Sequence, residues 1–323
     1  MNTSLIRACL AAVALLSVAT AAVSAVEIGR NDHFLVVLPD AADTLATLAQ
    51  QYLGDPREGW RLSAANDGAT PGLDRPFVVP LRPLNPGGIG PTTIQSVPVL
   101  CYHRFGTPSS RLTVTPAQFR AQLAYLRDHG YRVVHLEEAL AFLTGDGTLP
   151  PRSVVITIDD GYPSTYSVAF PLLREFDFPA TVFVYSDFVG RGGLKPAQMT
   201  EMAATGLIRF APHSKTHANL SQLMPGESTT DYRQRLADEV GEPAQRLAAL
   251  IDAPVSAFAY PYGATTGEVV DLLRDSGYAS AFTVRRGANP FFAHPYLLQR
   301  SMIYGEHGLD DFAENLVVEQ SYR

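Results

Sequence analysis

The segment Ser153-Val154-Val155-Ile156-Thr157-Ile158-Asp159-Asp160-Gly161 sets a β-branched apolar run directly before two adjacent carboxylates and a glycine. A run without alternation, rich in Val and Ile, is the pattern of a strand buried on both faces, as in parallel sheets covered by helices. Adjacent acids repel, so their place at the mouth of such a strand asks for a compensating charge.

Outward from this strand, similar runs recur at residues 97–102, 131–136, 181–185, 207–211, 255–260, 279–284 and 297–303. Helical patterns stand between them. Thr115 and Pro116 supply an N-cap and a first helical position, and Gly130 a stop. Further helices fit residues 164–176, 231–251 and 266–276. The alternation predicts an α/β fold, a distorted (β/α)7–8 parallel barrel, whose chemistry gathers where the strands end.

Before the barrel, residues 26–81 read as a small α+β module. A strand over 33–39 and two helices, with Leu45, Leu48, Ala49 and Tyr52 at helical spacing, precede a returning strand over 75–81. Residues 82–96, rich in Pro and Gly, read as a linker, and residues 97–323 as the barrel domain. Residues 1–25 carry Arg7, an apolar run and the small-residue site Val23-Ser24-Ala25, the pattern of a cleaved export signal. A retained anchor is the other reading of that segment. With cleavage, the chain is exported to the periplasm, the medium or the cell wall, without a stable membrane span. Cys101 is then the only cysteine, so no intramolecular disulfide forms. The chain of 323 residues has 46% hydrophobic and 18% charged residues, as two folded domains require. A net charge of −7 without a basic run excludes nucleic acid as the main partner.

The strand ends hold Tyr102-His103, Asp159-Asp160, His213-Ser214-Lys215-Thr216-His217 and Ala259-Tyr260-Pro261-Tyr262-Gly263. Successive side chains on an extended strand point to opposite sides, so one of the paired acids can ligate a cation while its neighbour stays free as a base. Two histidines and a carboxylate leave coordination positions open for water and substrate. A divalent cation so held acidifies water and polarises a carbonyl.

The segments "TIDDGY", "HSKTH" and "FAYPYG" resemble the successive motifs of the NodB-like polysaccharide deacetylases, carbohydrate esterase family four. The resemblance implies metal-dependent removal of N-acetyl, sometimes O-acetyl, groups from a glycan. It implies Asp159 as general base, Asp160, His213 and His217 as metal ligands, and the Tyr262 backbone N–H as a donor to the oxyanion. The metal expected is Zn2+, though Co2+, Ni2+ or Fe2+ suits the same ligands. The family's Arg in the third motif is replaced by Ala259 or Tyr260, and its late Leu-x-x-His is absent where Gln299 and Arg300 stand. "VPVLCYHRF" is similar to the opening of the poly-N-acetylglucosamine deacetylase branch, in which an early histidine takes the late one's place. That implies His103 as general acid, with His294 the second candidate, and Arg300 as the replacement beside Asp159. Tyr162, Tyr185, Asp187, Phe188 and Tyr260 are candidates to line a sugar groove.

The module over 26–81 resembles LysM at Asp43-Thr44-Leu45, Tyr52-Leu53-Gly54, Trp60, Asn66 and Val78-Val79-Pro80, without the usual glycine before Asp43. LysM implies a partner containing N-acetylglucosamine, such as peptidoglycan, whereas the early histidine implies an exopolysaccharide. A glycan-binding protein without turnover and an O-acetyl esterase on a plant-type polysaccharide are the rival readings.

Overall fold

The computed structural model describes residues 25–322, so the export signal expected over 1–25 lies, but for Ala25, outside the described residues. The chain divides after Leu84 into two units. The smaller contains β1 (Val26–Arg30), β2 (Phe34–Leu38), α1 (Leu45–Leu53), α2 (Gly59–Ala65) and β3 (Phe77–Pro80), with the strands antiparallel in the order β1-β2-β3. Leu35, Val37, Phe77 and Val79 alternate along β2 and β3 and bury one face of the sheet against Leu48, Ala49 and Leu62 of the helices. Thr44 caps α1 by accepting from the Thr47 N–H. Asn66 ties the end of α2 to the sheet, donating to Leu62 O and Val78 O and accepting from the Val78 N–H. Two helices between strands are as expected. β1 was not, because Glu27, Gly29 and Arg30 interrupt its apolar run.

The larger unit opens with β4 (Thr93–Tyr102), β5 (Arg104–Phe105), β6 (Thr113–Val114), α3 (Pro116–Asp128), β7 (Arg132–Val133) and α4 (Leu136–Thr144). It continues with β8 (Ser153–Asp160), a π-turn over Thr165–Ala169, α5 (Phe170–Phe176), β9 (Ala180–Val184), α6 (Pro196–Ala204) and β10 (Ile208–Pro212). The remainder is α7 (Thr229–Ile251), β11 (Ala257–Ala259), α8 (Gly267–Asp275), β12 (Ser280–Phe282), β13 (Ala288–Pro290), β14 (Ser301–Met302), α9 (Leu309–Ala313) and β15 (Glu319–Ser321). Residues 85–92 belong to this unit and Thr93 already lies in β4, so the linker expected over 82–96 is ordered for most of its length.

A parallel ladder runs β4–β8–β9–β10, and a second joins β11 to β12. The bridge Phe282–Leu298 carries β12 to the segment entering β14, which pairs in parallel with β4 and closes the ring. Seven staves result, with no ladder between β10 and β11 among the described residues. Residues of one parity, including Val99, Val155, Phe183, Ala211, Ala259, Phe282 and Leu298, fill the interior as a buried apolar layer. Those of the other parity, such as Leu100, Ile156, Val182 and Phe210, pack outward on Phe119, Leu123, Met202 and Leu247 of the helices. Each such side chain contributes about 1.5–3 kcal/mol of burial.

Residues 131–136, expected as a stave, are not one. β7 pairs only with the first two residues of β8, and Leu136 opens α4. The Glu138 carboxylate accepts from the His135 N–H at 2.8 Å, which starts a helix where the apolar run suggested a strand.

Candidate active site

Above the apolar layer the barrel interior turns polar. Asp159 shares its inward parity with Val155 and Thr157, and Arg300 enters from the stave beyond Leu298. The guanidinium donates to both carboxylate oxygens, Nη1 to Oδ1 at 2.6 Å and Nη2 to Oδ2 at 2.8 Å. Its Nε donates to Thr283 O at 3.0 Å and its carbon lies 5.3 Å from the Phe183 ring centre. The Cys101 thiol adds a contact of 3.4 Å to Asp159 Oδ2. Burial alone would push the Asp159 carboxyl up, but Arg300, then His213, hold it well below the ordinary carboxylate range. The same burial would lower Arg300, and Asp159 keeps it protonated.

The next residue does not continue the pleat. Asp160 has φ 73°, a left-handed value rare outside glycine, which turns its side chain into the same cavity as Asp159. The alternation expected of an extended chain therefore fails here, and both acids face one space. Burial raises the Asp160 carboxyl, but His217, His213 and His103 outweigh it and bring it below its usual value.

His213 follows β10, and its Nδ1 lies 2.8 Å from Ala259 O. A carbonyl only accepts, so Nδ1 carries the proton and the Nε2 lone pair faces the cavity. Burial lowers this imidazole to about 4, so at neutral pH it is uncharged and its 3.7 Å approaches to Asp159 and Asp160 are not ion pairs. His217 places Nε2 at 3.2 Å from Asp160 Oδ1. Its loop is a tight one, with φ 66° at both Ser214 and His217, and Ser214 Oγ accepts from the His217 N–H at 3.0 Å.

Asp160, His213 and His217 bring one ligand atom each within 4.8 Å of one another. Asp160 Oδ1 is buried and, apart from the 3.2 Å approach of His217 Nε2, has no hydrogen-bond partner, an anionic oxygen beside the His213 lone pair. A neutral histidine fixed at its far nitrogen and an unsatisfied carboxylate fit a divalent cation.

Tyr262 sits beyond β11 with φ 61°, and its exposed ring meets His217 edge-on at 4.7 Å. Gly263 holds this turn open, because a Cβ there would stand 2.6 Å from Val284 N at a φ of 68°. His103 closes the cavity from the end of β4, with Nδ1 buried and unpartnered and its ring within 4.8 Å of Asp159. Burial lowers His103 below its ordinary value. His294 is exposed, accepts from the Tyr296 N–H and is not in the cavity. The cavity, of about 560 Å³, also takes in Arg111, Leu112, Tyr162, Tyr260, Val284, Met302 and Tyr304. Tyr185 and Phe188 stack at 4.8 Å behind Tyr162 and His217. Asp187 instead pairs with Arg246.

His103, Asp159, Asp160, His213, His217 and Tyr262 thus line one cavity, and Arg300 lies directly against Asp159. Sequence reasoning passed over Ser214, Cys101 and Glu239. The signal for Glu239 was present: α7 buries Tyr232, Leu236, Val240 and Leu247, and an acid falls on that apolar stripe.

Residues 146–281 match the family described as polysaccharide deacetylase. IcaB from Ammonifex degensii is 30% identical in a solved structure, covering 69% of this chain and 97% of that one with a TM-score of 0.61. The poly-beta-1,6-N-acetyl-D-glucosamine N-deacetylase of Staphylococcus aureus (strain MRSA252) is 25% identical over 211 residues, 64% of this chain and 71% of its own. The protein of the same name in Escherichia coli (strain K12) is 25% identical over 245 residues, 65% of this chain, and the match spans 36% of that longer relative. With these matches on a barrel whose strand ends gather two acids and two histidines in one cavity, the chain belongs to the polysaccharide deacetylase family.

Proposed function

We propose that this protein removes N-acetyl groups from an N-acetylglucosamine polysaccharide outside the cytoplasm, as a hydrolase dependent on a divalent metal, with zinc the metal the ligands favour. The observation that carries the reading is the pairing of an ionised, Arg-clamped Asp159 with the adjacent Asp160, His213 and His217 cluster. A divalent cation bound there supplies Lewis acidity, polarising the acetamide carbonyl and acidifying water.

The chain's own residues account for the proton movements. Asp159, held in place by Arg300, accepts the proton of the attacking water. Its low basicity means it does not keep that proton. His103, within 4.8 Å and more basic, receives it and delivers it to the departing amine. The hand-over from Asp159 to His103 runs from the stronger acid to the weaker. The Tyr262 N–H, presented by its left-handed backbone, donates to the developing oxyanion. Tyr162, Tyr262 and Tyr304 offer aromatic faces to sugar rings.

An exopolysaccharide is the substrate favoured, because the histidine facing Asp159 is the early His103. Peptidoglycan is the second reading, supported by the LysM-like unit over 26–81, which we assign to glycan binding on the strand-helix-helix-strand order of β2, α1, α2 and β3. The rival of a binding protein without turnover drew on a missing arginine, and Arg300 stands beside Asp159. The test is acetate release from β-1,6- and β-1,4-linked N-acetylglucosamine oligomers, before chelation, after it, and with Zn2+ or Co2+ restored. Release that chelator abolishes and metal restores is expected. Release indifferent to chelator, or none from either linkage, would overturn the proposal.

A further inference from the structure

The loop bearing both histidines is anchored from behind by one buried carboxylate. Glu239, 3% exposed on α7, accepts at Oε2 from the Lys215 N–H and the Thr216 N–H, both at 2.9 Å. Its Oε1 accepts from the Thr216 hydroxyl at 2.5 Å. One turn on, Glu242 receives Lys215 Nζ at 2.5 Å. Every donor to Glu239 comes from the three-residue stretch between His213 and His217. A buried charge with three donors in one direction fixes those donors firmly, since charge-assisted bonds are about twice as strong as neutral ones. The stretch needs such fixing. Ser214 at its start and His217 just after it both lie at φ 66°, a conformation that costs of order 1 kcal/mol or more per non-glycine residue.

The helix is itself modified at this point. Pro243 lies four residues beyond Glu239 inside α7 and has no N–H to give the Glu239 carbonyl. The turn that presents Glu239 thus lacks one rung of its own ladder, a local cost in helix stability accepted where the helix meets the histidine loop.

We infer that Glu239 is a positioning residue for the cation site, holding the His217 imidazole at ligating distance from Asp160 by clamping the backbone before it. The inference rests on the proposed metal-dependent function and adds a residue to it. It assigns Glu239 no contact with substrate or reacting atoms.

The test is metal affinity and the Co2+ absorption spectrum of the full chain, which report ligand geometry without turnover. Glu239→Gln keeps the size of the side chain but removes the charge and puts an amide NH2 where one of the accepting oxygens stood. It is expected to weaken Co2+ and Zn2+ binding about 10–100-fold, the range for residues that orient ligands, and to shift the Co2+ bands. Thr216→Val removes one bond from an exposed residue without threatening the fold, and is expected to weaken binding less and in the same direction. Glu239→Asp, which restores the charge, should recover part of the loss. Wild-type affinity and spectrum in both Glu239→Gln and Thr216→Val would overturn the inference while leaving the proposed function standing. Failure of the wild-type chain to bind either metal would overturn the proposed function, and the inference with it.

Discussion

Replacing Arg300 by methionine removes the cation from a pair whose side chains are 0% and 2% exposed. Similar volume is kept, so the loss comes from charge and hydrogen bonds. Asp159 would be left with the Cys101 thiol and without its two guanidinium bonds, and Thr283 O would lose a donor. Breaking a buried pair by deleting one partner costs about 3–5 kcal/mol, against about 0.2–1 for an exposed pair. The sign of the pH dependence also changes. In the wild type Asp159 sits below its unfolded value, so its contribution is complete above about pH 4 and is lost only as pH falls toward the lower folded value. In Arg300→Met burial dominates and the carboxyl rises above its unfolded value. The folded state then binds the proton more tightly, and stability falls as pH rises above about 4. Urea unfolding at pH 5 and pH 8 measures this: a deficit of about 3–5 kcal/mol at pH 8 and a smaller one at pH 5. Asp159→Asn combined with Arg300→Met should recover much of it, because no unpaired charge remains. A deficit near 1 kcal/mol or less, or one equal at both pH values, would refute the pair's role in holding Asp159 ionised.

Other outcomes follow from the same geometry. His103→Ala should lower kcat about 10²–10⁴-fold, as removal of a general acid does, whereas His294→Ala leaves kcat unchanged, and steady-state acetate release distinguishes them. His213 is lowered from 6.5 to about 4 by burial, so in metal-free protein its contribution is present above pH 6.5 and lost as pH falls toward 4, readable as a falling Tm over that window. Gly263→Ala forces a Cβ to 2.6 Å from Val284 N at positive φ, and should cost more than about 1 kcal/mol in stability while lowering kcat through the displaced Tyr262 N–H. Tyr262→Ala keeps that N–H, so it should raise KM for oligomers more than it lowers kcat.

The staves were legible because buried parallel strands read as unbroken apolar runs, and seven of the eight expected runs coincide with staves. The remaining run, 131–136, failed on a local contest: Glu138 captures the His135 N–H and converts an apolar stretch into a helix start. Asp160 defeated the alternation rule because a single left-handed residue reverses a side chain, and nothing in Asp-Asp-Gly announces which residue takes that φ. Arg300 was legible only as an absence elsewhere, an acid wanting a partner that its own motif does not provide. Glu239 was visible as an acid on an apolar stripe, but two of its three donors are backbone N–H groups, which leave no mark in a sequence.

The gap between β10 and β11 gives His213 a second duty. Where backbone pairing is missing, its Nδ1 reaches across to Ala259 O and sews the two edges together. An alanine at 213 therefore unfastens the barrel as well as removing a nitrogen from the mouth, while an alanine at 217 does only the latter. Two histidines that look interchangeable in a motif would part company in a thermal melt, and loss of activity at position 213 is evidence about chemistry only once the seam is known to have held.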